Sequence, residues 1–385
     1  MDAQYPAIQN QLTRAKLEAF PIKHPGMTVA EMRELCVNFF RFTKTALWTP
    51  DSDFHYIRNA SGREDDMLQG NVYGGLPYIG LASGNVYRLL DYLDEETGVV
   101  DMKKATRVPR LFGNQCSIGS YWGWSRVINS TKHDWTPNMV VDNGFLRVGP
   151  YTYDDNRGAF TPQDNTVMIC QANGEQVMYQ SYAQLQPGDG LVYYTTAGHV
   201  VMCSCNAHVE YIDGTDEIDG ENSYITIIHQ AQKWLEGTNE QGDKYLFKSD
   251  VDQKKTFRKL FDEYYLPFTF AEFQGTYPIE ETKCSFSIPE NSVSVDRLFT
   301  AVITSNYGIS DIYAVVRNSK GEEVYRHAVR AVQANIRQQQ FVRNEMNAES
   351  WGELKLDPND QYTVEVSCQL CTGERPVIYQ GKLTG

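Results

Sequence analysis

Apolar residues recur at helical spacing along EMRELCVNFFRFTKTALW, from Glu31 to Trp48, and predict an amphipathic helix. Thr28 stands ahead of it as N-cap with Glu31 at the third helical position, a capping box, and Pro50 stops it. Residues 1–50 as a whole read as helical. Residues 51–75 are rich in Asp, Asn, Gly and Ser and read as loop; YGGLPYIGLASGNVYRLLDYLDE then reads as a Gly-rich turn into a short helix. Another helix is expected from Cys116 to about Ile128. The segment 131–166 is irregular, full of Asn, Asp, Pro and Gly, and long for a loop, which points to an inserted functional flap carrying the aromatics Tyr151 and Tyr153. Strand character returns at Leu191–Tyr194, at Val200 to Cys205, at Val209–Ile212 and at Tyr224–His229. A charged helix from about Ser249 to Tyr265 closes this part.

From Cys284 the texture changes. Short β-branched and aromatic runs (CSFSI, RLFTAVIT, DIYAVVR, EVYRHAV, YTVEVSC, PVIYQGKL) alternate with turns, and Asn318 to Gly321 reads as a hairpin turn. The stretch from Leu356 to Val366 resembles the tyrosine corner of immunoglobulin-like and fibronectin-type sandwiches, with Tyr362 at a strand start bonding back to the loop before it. The reading is therefore two domains, 1–278 and 279–385, the second an all-β sandwich.

Composition narrows the function classes. The 385-residue chain is 41% hydrophobic and 22% charged, ordinary for a globular protein. Its net charge of −14 argues against a nucleic-acid partner and against an anionic membrane surface, both of which want clustered Lys and Arg. No run of apolar residues is long enough for a membrane span. The first twenty residues lack the apolar core of a signal peptide, so the chain is either cytoplasmic or a secreted one whose signal has been trimmed. Eight cysteines lie scattered with no paired CxxC spacing, so no structural zinc site is expected; Cys203 and Cys205, and Cys368 and Cys371, read as buried free thiols. The 24 Tyr, 17 Phe and 6 Trp fit β-rich cores and also peptide- or sugar-binding grooves.

The candidate chemistry lies in LFGNQCSIGSYWGWSRVI and LQPGDGLVYYTTAGHVVMC. Cys116 opens a helix, whose N-terminal dipole is expected to lower the thiol pKa; His199 opens a strand that can present an imidazole to take its proton. The third polar group is His229 at the end of ITIIH, with His208 and Gln230 as alternatives.

GGLPY at 74–78, then NQCSIGSYWGW, LQPGDGLVYY, AGHVV and IIHQ stand in the order found in NlpC-type cysteine peptidases, and the chain resembles that family over roughly residues 29–235. The resemblance implies an α+β fold with a papain-like core, and hydrolysis of amide bonds in bacterial cell-wall peptides, commonly that between D-glutamate and a diamino acid. It implies Cys116 as nucleophile, His199 as general base and His229 as the residue that orients it. Tyr78, Gln115 and Trp122 would line the substrate cleft. No cofactor or metal is implied, the partner is a cell-wall peptide or muropeptide, and the location is secreted or cell-envelope. The chain departs from the family pattern at Gln115 for Asp, at Ile118 for Gly, and at Gly190 within the Pro-Gly-Asp-Leu run. A second echo, Gln115 to Ser125 against the papain nucleophile segment, would put Tyr121 at the nucleophile position; only the Cys116 frame also accounts for the Pro-Gly-Asp turn and the His-Val strand. Two other functions compete: a non-catalytic cell-surface binding protein, and an acyltransferase or amidase on another substrate using the same Cys-His pair.

Overall fold

The computed structural model describes residues 10–58, 62–80, 82–131, 136–139, 144–153, 166–195, 197–238, 242–331, 336–342 and 347–385. The fold is α+β, and the chain divides into two compact units: Met1–Pro21 with Gly26–Ile279, and Ile22–Pro25 with Glu280–Gly385.

The first unit carries the helices α1 (Arg14–Glu18), α2 (Val29–Thr45), α3 (Val86–Leu90), α4 (Met102–Ala105), α5 (Pro109–Phe112), α6 (Cys116–Trp124), α7 (Thr166–Asn173), α8 (Glu175–Tyr182) and α9 (Phe257–Asp262). Its strands are β1 (Leu47–Pro50), β2 (Phe54–Ile57), β3 (Glu64–Met67), β4 (Tyr73–Gly74), β5 (Leu93–Asp94) and β6 (Val99–Val100), followed by β7 (Leu146–Arg147), β8 (Gly190–Tyr194), β9 (Gly198–Cys203), β10 (Tyr224–Thr238), β11 (Lys244–Thr256) and β12 (Leu266–Thr269). One mixed sheet runs β5-β6-β1-β4-β11-β10-β9-β8-β12-β7, and β2 and β3 form a separate hairpin.

The start of α2 is as its sequence predicts: Glu31 N–H donates to Thr28 Oγ1 at 3.3 Å and Thr28 N–H to Glu31 Oε2 at 2.7 Å. Its end is not. The helix stops at Thr45, and Leu47 to Pro50 pair as β1 with β4 and β6. Trp48 there is fully buried, donating its indole N–H to Gly75 O at 2.7 Å. Sheet pairing captures the last apolar residues of a run whose spacing alone continues the helix. The polar 51–75 segment likewise contains the β2–β3 hairpin rather than a plain loop.

The largest correction falls at 249–265. Residues Lys244–Thr256 are a strand antiparallel to β10, and only Phe257–Asp262 is helical. The charged side chains there alternate across a sheet instead of covering a helix face. Val209–Ile212 is not a strand; only the isolated bridges His208–Tyr224 and Tyr211–Ile218 mark that stretch. Of the expected flap, 132–135, 140–143 and 154–165 lie outside the described residues. Tyr151 is a core residue, buried with its phenol donating to Pro267 O at 3.0 Å, so it does not serve as a flap aromatic.

Helix α6 is buried along its whole length and packs against α2, β9 and β10. Gly123 makes that possible: a Cβ there would lie 2.7 Å from Phe40 Cβ and 2.9 Å from Met202 Cε. The Pro-Gly-Asp turn before β8 is an anchor. Buried Asp189 accepts from Arg33 at 2.8 Å, from Thr269 Oγ1 at 2.6 Å and from Gln186 N–H at 2.9 Å, tying the β8–β9 hairpin to α2 and β12. Burial raises its carboxyl pKa while the Arg33 guanidinium opposes the shift.

The second unit holds α10 (Val295–Leu298) and the strands β13 (Cys284–Phe286), β14 (Ser292–Ser294), β15 (Val302–Arg317), β16 (Glu323–Arg330), β17 (Ile336–Gln340), β18 (Ala348–Trp351), β19 (Tyr362–Leu370) and β20 (Val377–Thr384). The order is β14-β20-β19-β15-β16-β18, with β13 and β17 also pairing β15. The runs expected as separate strands around 302–317 are one long strand, whose first part pairs β13 and β17 and whose later part pairs β16 and β19. Gly321, at φ 82°, closes the β15–β16 turn by donating to Asn318 O at 2.9 Å. Tyr362 OH accepts from Asp357 N–H at 3.0 Å, the back-bond expected of that tyrosine.

Candidate active site

Two close backbone approaches aim the first turn of α6. Asn114 donates to Pro77 O and accepts from Ile79 N–H, both at 3.1 Å, so Tyr78 lies beside the residue that leads into Cys116. Gly84 N–H donates to Gly113 O at 2.7 Å, and a Cβ at Gly84 would meet Phe112 O at 2.3 Å, so only glycine fits there. Gln115 is the N-cap and makes no side-chain cap hydrogen bond. The N–H groups of Val200, Ser117 and Cys116 and the Tyr78 hydroxyl are the groups near the Cys116 sulfur that favour its ionised form.

These donors all favour a thiolate, yet Cys116 is only 5% exposed and burial raises its pKa overall. The expectation of a thiol acidified by its helix N-terminus is thus corrected. In the resting site, desolvation outweighs the first-turn N–H groups.

The histidines form a chain. His199 Nε2 lies 2.9 Å from His229 Nδ1, and His229 Nε2 lies 3.2 Å from Asp250 Oδ2. The carboxylate end sets the tautomers that neutral rings take here. Asp250 accepts, so His229 carries its proton on Nε2 and offers a lone pair at Nδ1; His199 must then donate from Nε2, which leaves its Nδ1 as the basic nitrogen. Burial, then His229, then Lys255 push the His199 pKa well below 6.5, so the ring is neutral near pH 7 and can accept a proton.

A bulge makes this chain possible. Ile227 pairs with Gln253, but His229 pairs with Asp250, so β11 carries one extra residue between them, and Asp252 in that bulge has φ 57°. Without it Val251 would stand opposite His229.

Strand β9 links the sulfur to the histidine chain. The N–H of Val200, the residue after His199, favours the ionised form of Cys116, and Tyr193, registered opposite His199, lies within electrostatic reach of the same sulfur. Among the described residues no hydrogen bond joins Cys116 to His199. Burial raises the phenol pKa of both Tyr78 and Tyr193, so both stay protonated; the Tyr78 hydroxyl reaches Cys116 and Gln232.

Of the residues proposed from sequence, His199 and His229 are in direct contact, Tyr78 neighbours Cys116, and Gln115 is the adjacent N-cap; Cys116 is linked to the histidine-bearing strand through Val200. Trp122 does not join them. It is buried and lines an interior cavity of about 10 Å³ with Phe39, Thr43 and Leu76, because six residues along α6 turn it away from Cys116. His208 is exposed and pairs with Glu210 at 2.9 Å, away from His199. Gln230 is buried, with its amide donating to Leu76 O at 2.8 Å and accepting from Lys44. Tyr121 is a core residue whose hydroxyl donates to Thr131 O at 2.9 Å. Asp250 is the neighbour of the histidine pair that sequence reasoning missed. Among the described residues no group of His, Cys, Asp and Glu is arranged to hold a metal ion, and no helix is long and apolar enough to cross a membrane.

No family model matches the chain, and no curated protein or solved structure matches it either.

Proposed function

We propose that the first unit is a papain-like, NlpC-type cysteine peptidase that hydrolyses amide bonds of bacterial cell-wall peptides, with Cys116 as nucleophile and His199 as base. The observation that carries this reading is the chain His199–His229–Asp250, which in neutral rings leaves the free lone pair of His199 on Nδ1, on the strand whose next residue, Val200, favours the ionised form of Cys116. In the mechanism, His199 Nδ1 takes the Cys116 proton as sulfur attacks the scissile carbonyl. The N–H groups of the first turn of α6 hold the oxyanion. Collapse expels the amine, which leaves with the proton from His199, and His199 then deprotonates the water that hydrolyses the thioester. The substrate class comes from the ordered motifs shared with NlpC-type enzymes, which also favour a secreted or cell-envelope location. The Tyr362 back-bond supports an immunoglobulin-like assignment for the second unit.

The test is incubation with purified peptidoglycan and with free muropeptides, followed by mass spectrometry of new amine termini. Cleavage that disappears in Cys116→Ala is the expected result. Retained cleavage in that variant, or retention of the wild type on the wall without any cleavage, overturns the proposal; the second outcome would mark a surface-binding protein.

A further inference from the structure

Among the described residues only two that are not glycine have a positive φ, Asp252 at 57° and Tyr264 at 60°. Asp252 stands in the β11 bulge, at a backbone position that glycine usually fills because a side chain is strained there. Aspartate tolerates such a backbone better than most residues, yet glycine tolerates it best. What Asp252 has and glycine lacks is a carboxylate, and Arg41 of α2 forks onto it. Arg41 Nε donates to Oδ2 at 3.0 Å and Nη2 to Oδ1 at 2.9 Å. The remaining nitrogen, Nη1, donates to Asn38 Oδ1 at 2.9 Å, one turn earlier on the same helix, which fixes the plane of the fork. Both side chains are partly exposed, at 33% and 44%, so the pair adds little as charge alone; its two-point geometry is what fixes position. Burial works against the ionised carboxylate, but Arg41 and then Ser204 outweigh it and hold its pKa below the ordinary aspartate value.

The bulge decides which residue His229 meets. From the pair Ile227–Gln253 an unbroken ladder would run on to His229–Val251 and Gln230–Asp250, which places Asp250 on the face opposite to the His229 ring. The observed pairs are His229–Asp250 and Gln230–Ser249. Gln253, next to Asp252, also donates its amide to Asp250 Oδ2 at 3.3 Å, the oxygen that His229 Nε2 reaches at 3.2 Å.

We infer that Arg41 is a positioning residue for the histidine chain: its fork onto Asp252 holds the β11 bulge in register and so keeps Asp250 opposite His229. It acts through backbone register, at one remove from the rings. The inference deepens the proposed function and rests on that chain being the working base, while the geometry it invokes needs neither substrate nor Cys116.

The experiment is imidazole nitrogen-15 NMR of the full chain labelled at histidine, which reports the nitrogen that carries the His229 proton. Seven histidines contribute signals, and His229→Gln assigns the one wanted. Spectra are recorded above the ring's own titration. In the wild type the proton is expected on Nε2, and a ring protonated at Nδ1 overturns the inference. Arg41→Gln is expected to move the Nε2-to-Nδ1 ratio about tenfold toward Nδ1; a folded Arg41→Gln protein with the wild-type ratio overturns the inference. Asp252→Gly separates positioning from support of α2. Glycine accepts the bulge but gives Arg41 nothing to hold, so Arg41→Gln is expected to add no further shift in that background. Equal shifts from Arg41→Gln in both backgrounds overturn the inference, because Arg41 then acts elsewhere on α2. Should Arg41→Gln not fold, Asp252→Asn decides: it keeps a residue that tolerates the bulge and halves the fork, and a wild-type ratio in it overturns the inference. Activity separates the two readings. A chain whose His229 ratio responds to Arg41 and that cleaves no amide loses the peptidase reading alone. A chain that cleaves through Cys116 with a ratio indifferent to Arg41 loses this inference alone.

Discussion

Cys116 and Cys284 invert the usual sign of a reactive thiol. Cys116 is buried and its pKa is raised, whereas Cys284, half-buried on β13, is lowered to about 7. Cys368 is the main cause of the second shift, with Ser305 and Lys23 adding to it against burial and Glu374. Each unit also has a buried lysine, but the two lysines differ. Lys23 has a carboxylate, Glu374 at 3.5 Å, and donates to Thr282 Oγ1 at 2.8 Å and Glu280 O at 3.0 Å; Lys44 has no such acid partner among the described residues. None of the groups that set the acidity of Cys284 is an imidazole. Resting acidity alone would choose Cys284 as the nucleophile. On the proposed mechanism the histidine chain chooses Cys116, because acyl transfer needs a base that keeps the proton and returns it to the leaving amine. A thiol's pKa marks how readily it is modified; the neighbouring base marks what chemistry it can complete.

Exchanging the two sites should produce the largest effect. His199→Ala is expected to lower kcat/KM on muropeptides by at least about 10³-fold, while Cys284→Ala leaves it within about twofold. A loss in Cys284→Ala comparable to that in His199→Ala breaks the comparison. Next in size is the far end of the relay. Asp250→Ala removes the acceptor that holds His229 with its proton on Nε2, so part of the population adopts the tautomer that cannot accept from His199. A loss of about 10- to 100-fold in kcat with little change in KM is expected. An unchanged kcat would show that Asp250 is only a neighbour across the bulge.

Labelling sharpens the contrast in the other direction. Cys284 is the more acidic thiol and Cys116 the less, so brief iodoacetamide treatment at pH 7 should modify Cys284 roughly tenfold faster. Mapping of the alkylated peptides checks this, and prior modification of Cys116 would reverse the assignment of the two acidities.

The sequence was most legible where local chemistry and tertiary need agree. Thr28 with Glu31 started α2, Cys116 opened α6, and the turns at Pro187 to Asp189 and Asn318 to Gly321 stand where turn residues put them. It was least legible where pairing overrides periodicity, at Trp48 and across 249–265. That second misreading hid part of the site. Asp250 read as one charge among many on a helix, and only the β10–β11 register with its extra residue brings it opposite His229. Lys44 was misread for another reason: as the charged residue near the end of an amphipathic helix it reads as solvated, and only the packing of α6 over it shows burial. Trp122 was misplaced because position next to Cys116 in sequence is not position next to it on a helix.

The smallest effect concerns the proton on His199 and carries a definite sign. On the proposed mechanism the working ring is neutral, so activity is expected to fall as pH drops through the His199 pKa, which puts the acid limb of kcat/KM below 6.5. Lys255 lowers that pKa and is itself paired with Glu263. Lys255→Met removes a positive charge and uncovers a carboxylate, both of which favour the imidazolium, so the limb should move upward by about half a pH unit. Glu263→Gln leaves the ammonium uncompensated and should move the limb the opposite way. Opposite displacements in the two variants identify the limb with His199; displacement in the same direction, or none in either, assigns it to another group and removes the link between the relay and the rate.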